Sequence, residues 1–317
     1  MLPLFDEPRS STRESLAPRL AELAKSGIYI GTSSWKYEGW LGQVYTPERY
    51  FVRGRFSKKK FETECLSEYA ETFPTVCGDF AFYQFPEPEH WVRLFRSAPA
   101  SLVFALKVPE EITVKVYTTH PRYGPRAGTE NPTYLDAAAF DANFVAPLRP
   151  FSKQARVLIV EFGRFGRTAY ERFDDFLRDL DGFLAKLPEG FRYAVEVRNP
   201  EFLRAEYFSC LKARGVAHVF NAWSRMPVLR EQVEMPGAFT ADFTVVRGLL
   251  RFGRPYEKAV ERFSPYREVQ DPNPEVRESI RDIIARNKLR REEAYIYVNN
   301  RLEGNAPGTI EAVIDLL

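Results

Sequence analysis

Short apolar runs rich in β-branched and aromatic residues recur eight times along this chain, separated by stretches of helical period. The runs fall at residues 28–33, 75–83, 102–108, 156–162, 192–198, 216–221, 242–248 and 294–299. Between the fourth and fifth, Tyr170, Phe173, Phe176, Leu177, Leu180, Phe183 and Leu184 share one helical face, with Thr168 and Glu171 as a capping box and Pro188 and Gly190 as the stop. Pro274 opens a helix carrying Val276, Ile280, Ile283 and Ile284, and Thr309 opens one carrying Ile310, Val313, Ile314 and Leu317. Strands alternating with helices predict a parallel sheet. Eight such units without a linker predict one closed (β/α)8 barrel of the α/β class, spanning residues 28–317.

Ahead of the barrel, residues 1–27 read as an N-terminal helical extension. Ser11 and Glu14 suit a capping box, Leu16, Leu20 and Leu23 form one stripe, and Gly27 ends the helix, which is expected to pack outside the barrel. Three connections are too long for plain βα loops: residues 34–60, 113–133 and 249–273. Each follows a strand, so each belongs at the C-terminal mouth, where barrels place their sites. The first carries seven aromatic and seven basic residues against two acids.

Composition narrows the setting. The net charge of +2 demands no polyanionic partner. Cys65, Cys77 and Cys210 are odd in number and widely spaced, which argues against a disulfide framework or a cysteine zinc site. The start has no signal-peptide pattern, and no apolar stretch approaches the ~18 residues of a membrane span. A reducing cytoplasm without a membrane partner is the expectation.

The segment IYIGTSSWKYEGWLGQVYTPERY resembles the opening GTSGWxYxxWxGxFYP motif of the YecE-like family, the domain of unknown function numbered 72. TVCGDFAFYQFP, YAVEVRNPEF and AYIYVNNRLEGNA are similar to three further family segments, in family order. The resemblance implies a TIM barrel and supplies positions rather than a reaction. Cys77 and Asp79 stand where the family usually has Glu and Asn, Glu161 where Gln is common, and Asn199 where His is common. GRF replaces a proline-rich strand end, and VRGRFSKKKF lengthens the first loop. If the family's chemistry needs the missing Glu or His, this chain is a divergent or inactive relative.

Strand alternation selects the candidate chemistry. In residues 192–198 the apolar set Tyr193, Val195 and Val197 suits the helix-facing side, so Ala194, Glu196 and Arg198 point inward. The same logic brings Glu161, Lys107, Arg247 and Asn299 to one mouth and groups Cys77, Asp79 and Tyr83 on the second strand. Glu196, Glu161 and Asp79 are the candidate catalytic carboxylates; Arg198, Arg247, Lys107, Asn299, Asn300, Trp35 and Tyr83 are candidates for holding substrate. Two carboxylates divide acid and base work only if their surroundings push their pKa values apart. Otherwise they form a structural layer in which Glu196 neutralises Arg198 and Glu161 neutralises Lys107. Arg247-Gly248 and the run Asn299-Asn300 through LEGNAPGT suit either an anion site or a glycine-rich turn with a helix cap. Trp35, Tyr37 and Trp40 either stack on a ligand or form the first loop's own small core. No zinc, iron or other cofactor is expected from His90, His120 and His218; His218 reads as a core residue, and weak magnesium binding by the three carboxylates stays open.

Two functions follow. One is an enzyme of hydrolase or lyase type acting on an anionic, phosphorylated or sugar-containing small molecule. The alternative is a non-catalytic barrel that binds nucleic acid or a partner through Arg49, Arg53, Arg55, Lys58, Lys59 and Lys60. A glycosidase is a weaker reading, because Arg198 and Lys107 would keep both carboxylates ionised.

Overall fold

In a computed structural model, which describes residues 12–166 and 169–317, parallel strands close into a barrel. The strands are β1 (Ile28–Thr32), β4 (Thr75–Gly78), β5 (Val103–Lys107), β6 (Ala155–Phe162), β7 (Arg192–Val197), β8 (Ala217–Ala222), β9 (Phe243–Gly248) and β10 (Glu293–Val298). Two short strands, β2 (Phe51–Val52) and β3 (Arg55–Phe56), form an antiparallel hairpin within the first loop. β1 pairs with β10 and with β4, so the order β1-β10-β9-β8-β7-β6-β5-β4 closes on itself. The eight apolar runs therefore became the eight barrel strands.

The second run overreached. β4 stops at Gly78, and the backbone N–H of Phe82 donates to the Asp79 carbonyl in a turn. Aspartate favours turns by competing for backbone hydrogen bonds, and this outweighs the aromatic character of residues 80–83. Cys77, Asp79 and Tyr83 consequently do not share a strand face. Cys77 is in the barrel interior, Asp79 lies just past the strand, and Tyr83 is exposed beneath the Arg122 guanidinium.

Alternation holds elsewhere. The interior is filled by Cys77, Val103, Ala105, Val157, Ile159, Ala194, Ala217, Val219, Phe243, Val245, Tyr295 and Tyr297. Their neighbours in sequence face the helices and join the outer core. At the N-terminal end of the barrel, Tyr29 stacks on Tyr295, and Arg192 donates to the Tyr295 hydroxyl at 2.8 Å. That end is plugged by side chains.

Helix α1 (Thr12–Lys25) turns Leu16, Leu20 and Leu23 into the outer core and lies outside the strands, as its stripe predicts. The caps read at Ser11 and Thr168 lie outside the described residues. His218 is buried among Tyr207, Phe208 and Phe220, with Nδ1 3.3 Å from the Tyr207 hydroxyl, so it is a core side chain. No helix among the described residues is long and apolar enough to cross a membrane.

Candidate functional site

The strand register sets the centre of the mouth. Glu161 on β6 is level with Glu196 on β7, and Arg247 on β9 with Asn221 on β8. Alternation turns the two carboxylates and Arg247 into the barrel above the apolar layers of Ile159, Ala194 and Val245. Lys107 ends β5, and Arg198 follows β7 directly.

These side chains form one ionic cluster. Lys107 Nζ lies 2.9 Å from Glu161 Oε2, and Arg247 Nη1 lies 2.6 Å from the same oxygen. Arg247 Nη1 also contacts Glu196 Oε2 at short range. Arg198 reaches Glu161 Oε1 at 2.9 Å through Nη2 and Glu196 Oε1 at 3.2 Å through Nε. Asp79 completes the group from outside, its Oδ1 3.5 Å from Lys107 Nζ and 3.8 Å from Arg247 Nη2. Three cations thus meet three carboxylates. Burial divides them: the Glu161 and Glu196 side chains are 4% and 0% exposed, whereas Asp79 is 44% exposed.

Burial alone would raise the pKa of Glu161, but Arg198, Lys107 and Arg247 outweigh it and hold the carboxyl well below its usual range. Arg247 is pressed toward neutrality by burial, yet Glu196, Cys77, Glu161 and Asp79 together keep it firmly charged. A carboxylate held ionised by three cations cannot act as a general acid, so Glu161 is not the acid of the pair. Both carboxylates lie between cations. Cys77, in the layer below, has its thiol pushed up to about 12 by burial, with Arg247 only partly opposing the shift. It is therefore no thiolate nucleophile.

Two aromatic rings steady the outer cations. Lys107 Nζ sits 3.7 Å from the centroid of Phe82, and the Arg198 guanidinium 3.8 Å from that of Trp223. Neither ring figures among the sequence candidates, and neither does Asn221. Asn221 is fully buried, with Nδ2 donating to Val197 O at 3.2 Å and Oδ1 left without a hydrogen-bond partner. Alternation on β8, where Ala217 and Val219 point inward, was sufficient to find it. Phe82 and Trp223 sit past strand ends, where alternation gives no guidance.

The eighth-strand loop resolves toward helix capping. Asn299 Oδ1 accepts from Arg301 N at 2.9 Å, Asn300 Oδ1 from Ala306 N at 2.8 Å, and Asn305 Oδ1 from Gly308 N at 2.7 Å. The amides expected to greet an anion are thus taken by asparagine side chains. Asn300 Oδ1 also receives Trp40 Nε1 at 3.3 Å, which ties this loop to the first one. Gly304 has φ +115°, and a Cβ there would sit 2.7 Å from Glu268 O, so backbone packing accounts for that glycine.

The first loop is mostly its own core. Trp40 stacks on Tyr45, which meets Tyr50 and Phe61 edge-on, and Tyr37 packs against Trp40. Trp35 is buried edge-on to Phe80. In the basic group, Arg49 lies 3.8 Å from Glu64 and 3.9 Å from Glu71, and Lys58 lies 4.0 Å from Glu62. Arg53 and Arg55 project on the hairpin beside exposed Phe51 and Val52. Asn199 clamps two loops, with Oδ1 accepting from Phe165 N at 2.7 Å and Nδ2 donating to Glu201 at 2.8 Å. Asn199 thus holds the segment 163–165 in place. Among the described residues, no group of three or more His, Cys, Asp and Glu side chains could hold a metal ion.

Comparison with known proteins bears on this barrel directly. It is similar to a crystal structure of a DUF72 family protein from Thermotoga maritima MSB8, with a TM-score of 0.57 and 20% identity over 90% of this chain and 96% of that one. A DUF72 family protein from Enterococcus faecalis V583 gives a TM-score of 0.58 and 18% identity over 92% and 96%. No curated protein matches the chain. The family model described as "Protein of unknown function DUF72" matches residues 29–317, and the chain belongs to that family.

Proposed function

We propose that the barrel mouth binds a small anionic molecule, phosphorylated or sugar-containing, and acts on it by acid–base chemistry of hydrolase or lyase type. The observation that carries this reading is the position of Asp79. Its side chain is the exposed one of the three, and its buried Oδ1, which has no hydrogen-bond partner, faces Lys107 and Arg247 at 3.5 and 3.8 Å, longer than hydrogen-bonded ion pairs. Without Asp79, the cluster holds three cations against the two buried carboxylates. An incoming anion that takes the place of Asp79 restores neutrality. Lys107 and Arg247 then hold it, Arg198 supports them, and the released Asp79 is free to take the proton of a water as its oxygen bonds to the bound molecule and the leaving group departs, or the proton of a C–H as the bond to the leaving group on the adjacent carbon breaks. Glu161 and Glu196 keep the cations in place, a preorganised arrangement that needs no rearrangement as charge develops. The unpaired cysteines are consistent with a reducing compartment such as the cytoplasm.

The test is calorimetric titration with inorganic phosphate and with glycerol 3-phosphate. Lys107→Met is expected to weaken binding at least about tenfold, roughly 1.4 kcal/mol. Asp79→Asn is expected to tighten it, because the competing charge is gone. Turnover of a panel of phosphorylated and sugar-acid compounds, followed by product mass, is expected to fall in Asp79→Asn. Affinities unchanged in both variants would remove the proposal.

One observation favours a second reading, in which the hairpin contacts nucleic acid. Arg53 and Arg55 stand exposed beside Phe51, a pairing suited to phosphates and a base. Oligonucleotide binding that weakens steeply with salt, and that is lost in an Arg53→Glu and Arg55→Glu double variant, would favour it.

A further inference from the structure

A cavity of about 450 Å³ lies beside the mouth, between helices α2 (Lys58–Tyr69) and α3 (Pro88–Ser97) and beneath the segments that follow β1 and β4. It is open to solvent on one side, and its size is that of a small-molecule site. Trp35, Phe80, Leu66 and Leu94 supply apolar walls, and Lys36 and Arg93 supply the cationic ones, with the His90 imidazole beside them.

The charges are unequally committed. Of the two acids on the lining, Glu62 faces Lys58 and Asp79 faces Lys107. Lys36 and Arg93, both exposed, have no ion-pair partner among the described residues. Lys36 Nζ lies 5.8 Å from the centroid of Trp35, at the edge of its cation–π range. Lys36, His90 and Arg93 share this lining, and the pKa of His90 is lowered first by burial and then by the two cations. The walls therefore offer aromatic and apolar surface on one side and uncompensated positive charge on the other.

We propose that this cavity binds an organic anion that carries a planar ring and has the size of a mononucleotide. The ring lies against Trp35 and Phe80, and the acid group faces Lys36 and Arg93. This site is separate from the anion position proposed at Lys107 and Arg247, and its ligand-facing cations include neither residue. Asp79 is the one side chain common to both, so an occupied cavity would sit next to the reacting centre.

The probe is AMP, titrated into the full-length protein beside adenosine and inorganic phosphate. AMP is expected to bind at least tenfold more tightly than either fragment. A Lys36→Glu and Arg93→Glu double variant is expected to lose at least tenfold in AMP affinity, whereas Lys107→Met, which acts on the cavity only by freeing Asp79 on its lining, changes it less. Thr63→Trp, at an exposed position on the lining, is expected to fill the space and abolish binding while the circular dichroism spectrum and Tm stay close to wild type. Failure of AMP to bind at millimolar concentration overturns the proposal. So does AMP binding that responds to Lys107→Met and ignores the Lys36 and Arg93 changes, since that places the nucleotide in the mouth. Loss of phosphate binding by the mouth, with AMP binding intact, would remove the first reading and leave this one standing.

Discussion

At the scale of single residues, burial decides which charges can be changed. Arg247 is 2% exposed and contacts both Glu161 and Glu196, so Arg247→Met leaves two buried carboxylates short of a partner. A loss of roughly 3–5 kcal/mol is expected in urea unfolding. Arg198 serves the same two carboxylates but is 15% exposed, and water can enter where its side chain ends. Arg198→Met is therefore expected to cost clearly less, and equal losses would contradict this ranking. His218 gives the pH dependence a distinct signature. Burial lowers its pKa to about 3 from an ordinary 6.5, a shift that Gln232 only partly opposes. Between these values the unfolded chain binds a proton that the folded chain refuses, so stability is full above pH 6.5 and declines as pH falls toward 3. The Glu161 ion pairs add their own loss below about pH 4.5, because that carboxyl's folded pKa lies beneath its unfolded one. Melts between pH 7 and 5 avoid the Glu161 effect, and His90, whose pKa burial also lowers, adds to the decline there. His218→Gln, which retains a polar group but does not titrate, is expected to reduce the fall of Tm over that interval.

At the scale of elements, closure of the barrel rests on a narrow seam. β1 meets β4 through the pairs Gly31–Thr75 and Thr32–Val76. A Cβ on Gly31 would lie 1.8 Å from the Thr75 carbonyl oxygen, a backbone atom that cannot yield without parting the strands. Gly31→Ala is expected to lower Tm severely or prevent soluble expression. Gly182→Ala is the control, because Gly182 is exposed in the helix Phe173–Leu184 with open space around its Cβ position. That change is expected to stabilise by about 0.5–1 kcal/mol. The contrast also explains what was legible in the sequence. Strand positions follow from runs such as RVLIVEF and YAVEVR, because a barrel interior and a helix layer both select apolar residues. Alternation then placed Glu161, Glu196, Lys107 and Arg247 in one cluster without any coordinates. It failed or gave no decision where regular structure ends: residues 80–83 read as strand and form a turn, and the run after β10 read equally as an anion site or a capped turn, of which its asparagines form the caps. Side-chain direction past a strand end depends on turn hydrogen bonds, which no hydrophobic period records.

At the scale of the whole molecule, the N-terminal helix is built into the barrel's outer layer. Leu16, Leu20 and Leu23 are 0%, 0% and 7% exposed and belong to the same core as the barrel helices. Arg13 reaches Glu68 on α2 at 3.1 Å, and Arg19 reaches Asp315 near the end of the chain at 2.7 Å. These ion pairs are partly or largely exposed and contribute little by comparison. The three leucines contribute about 1.5–3 kcal/mol each on an area basis, an upper estimate because unfolded chains already bury some apolar surface. A chain that begins at residue 26 would therefore expose an apolar patch over β1 and the helix Ala306–Ile314. We expect it to unfold in one cooperative calorimetric transition at a markedly lower Tm than the full chain. A second transition in the full chain, or an unchanged Tm after truncation, would make the helix an independent unit. Because the truncated chain is prone to aggregate, Leu20→Ala carries the same argument in a soluble form. Its fully buried side chain predicts a loss of about 2–5 kcal/mol. The loss should appear in the main transition of the barrel, which identifies the helix as part of the unit that holds the mouth in shape.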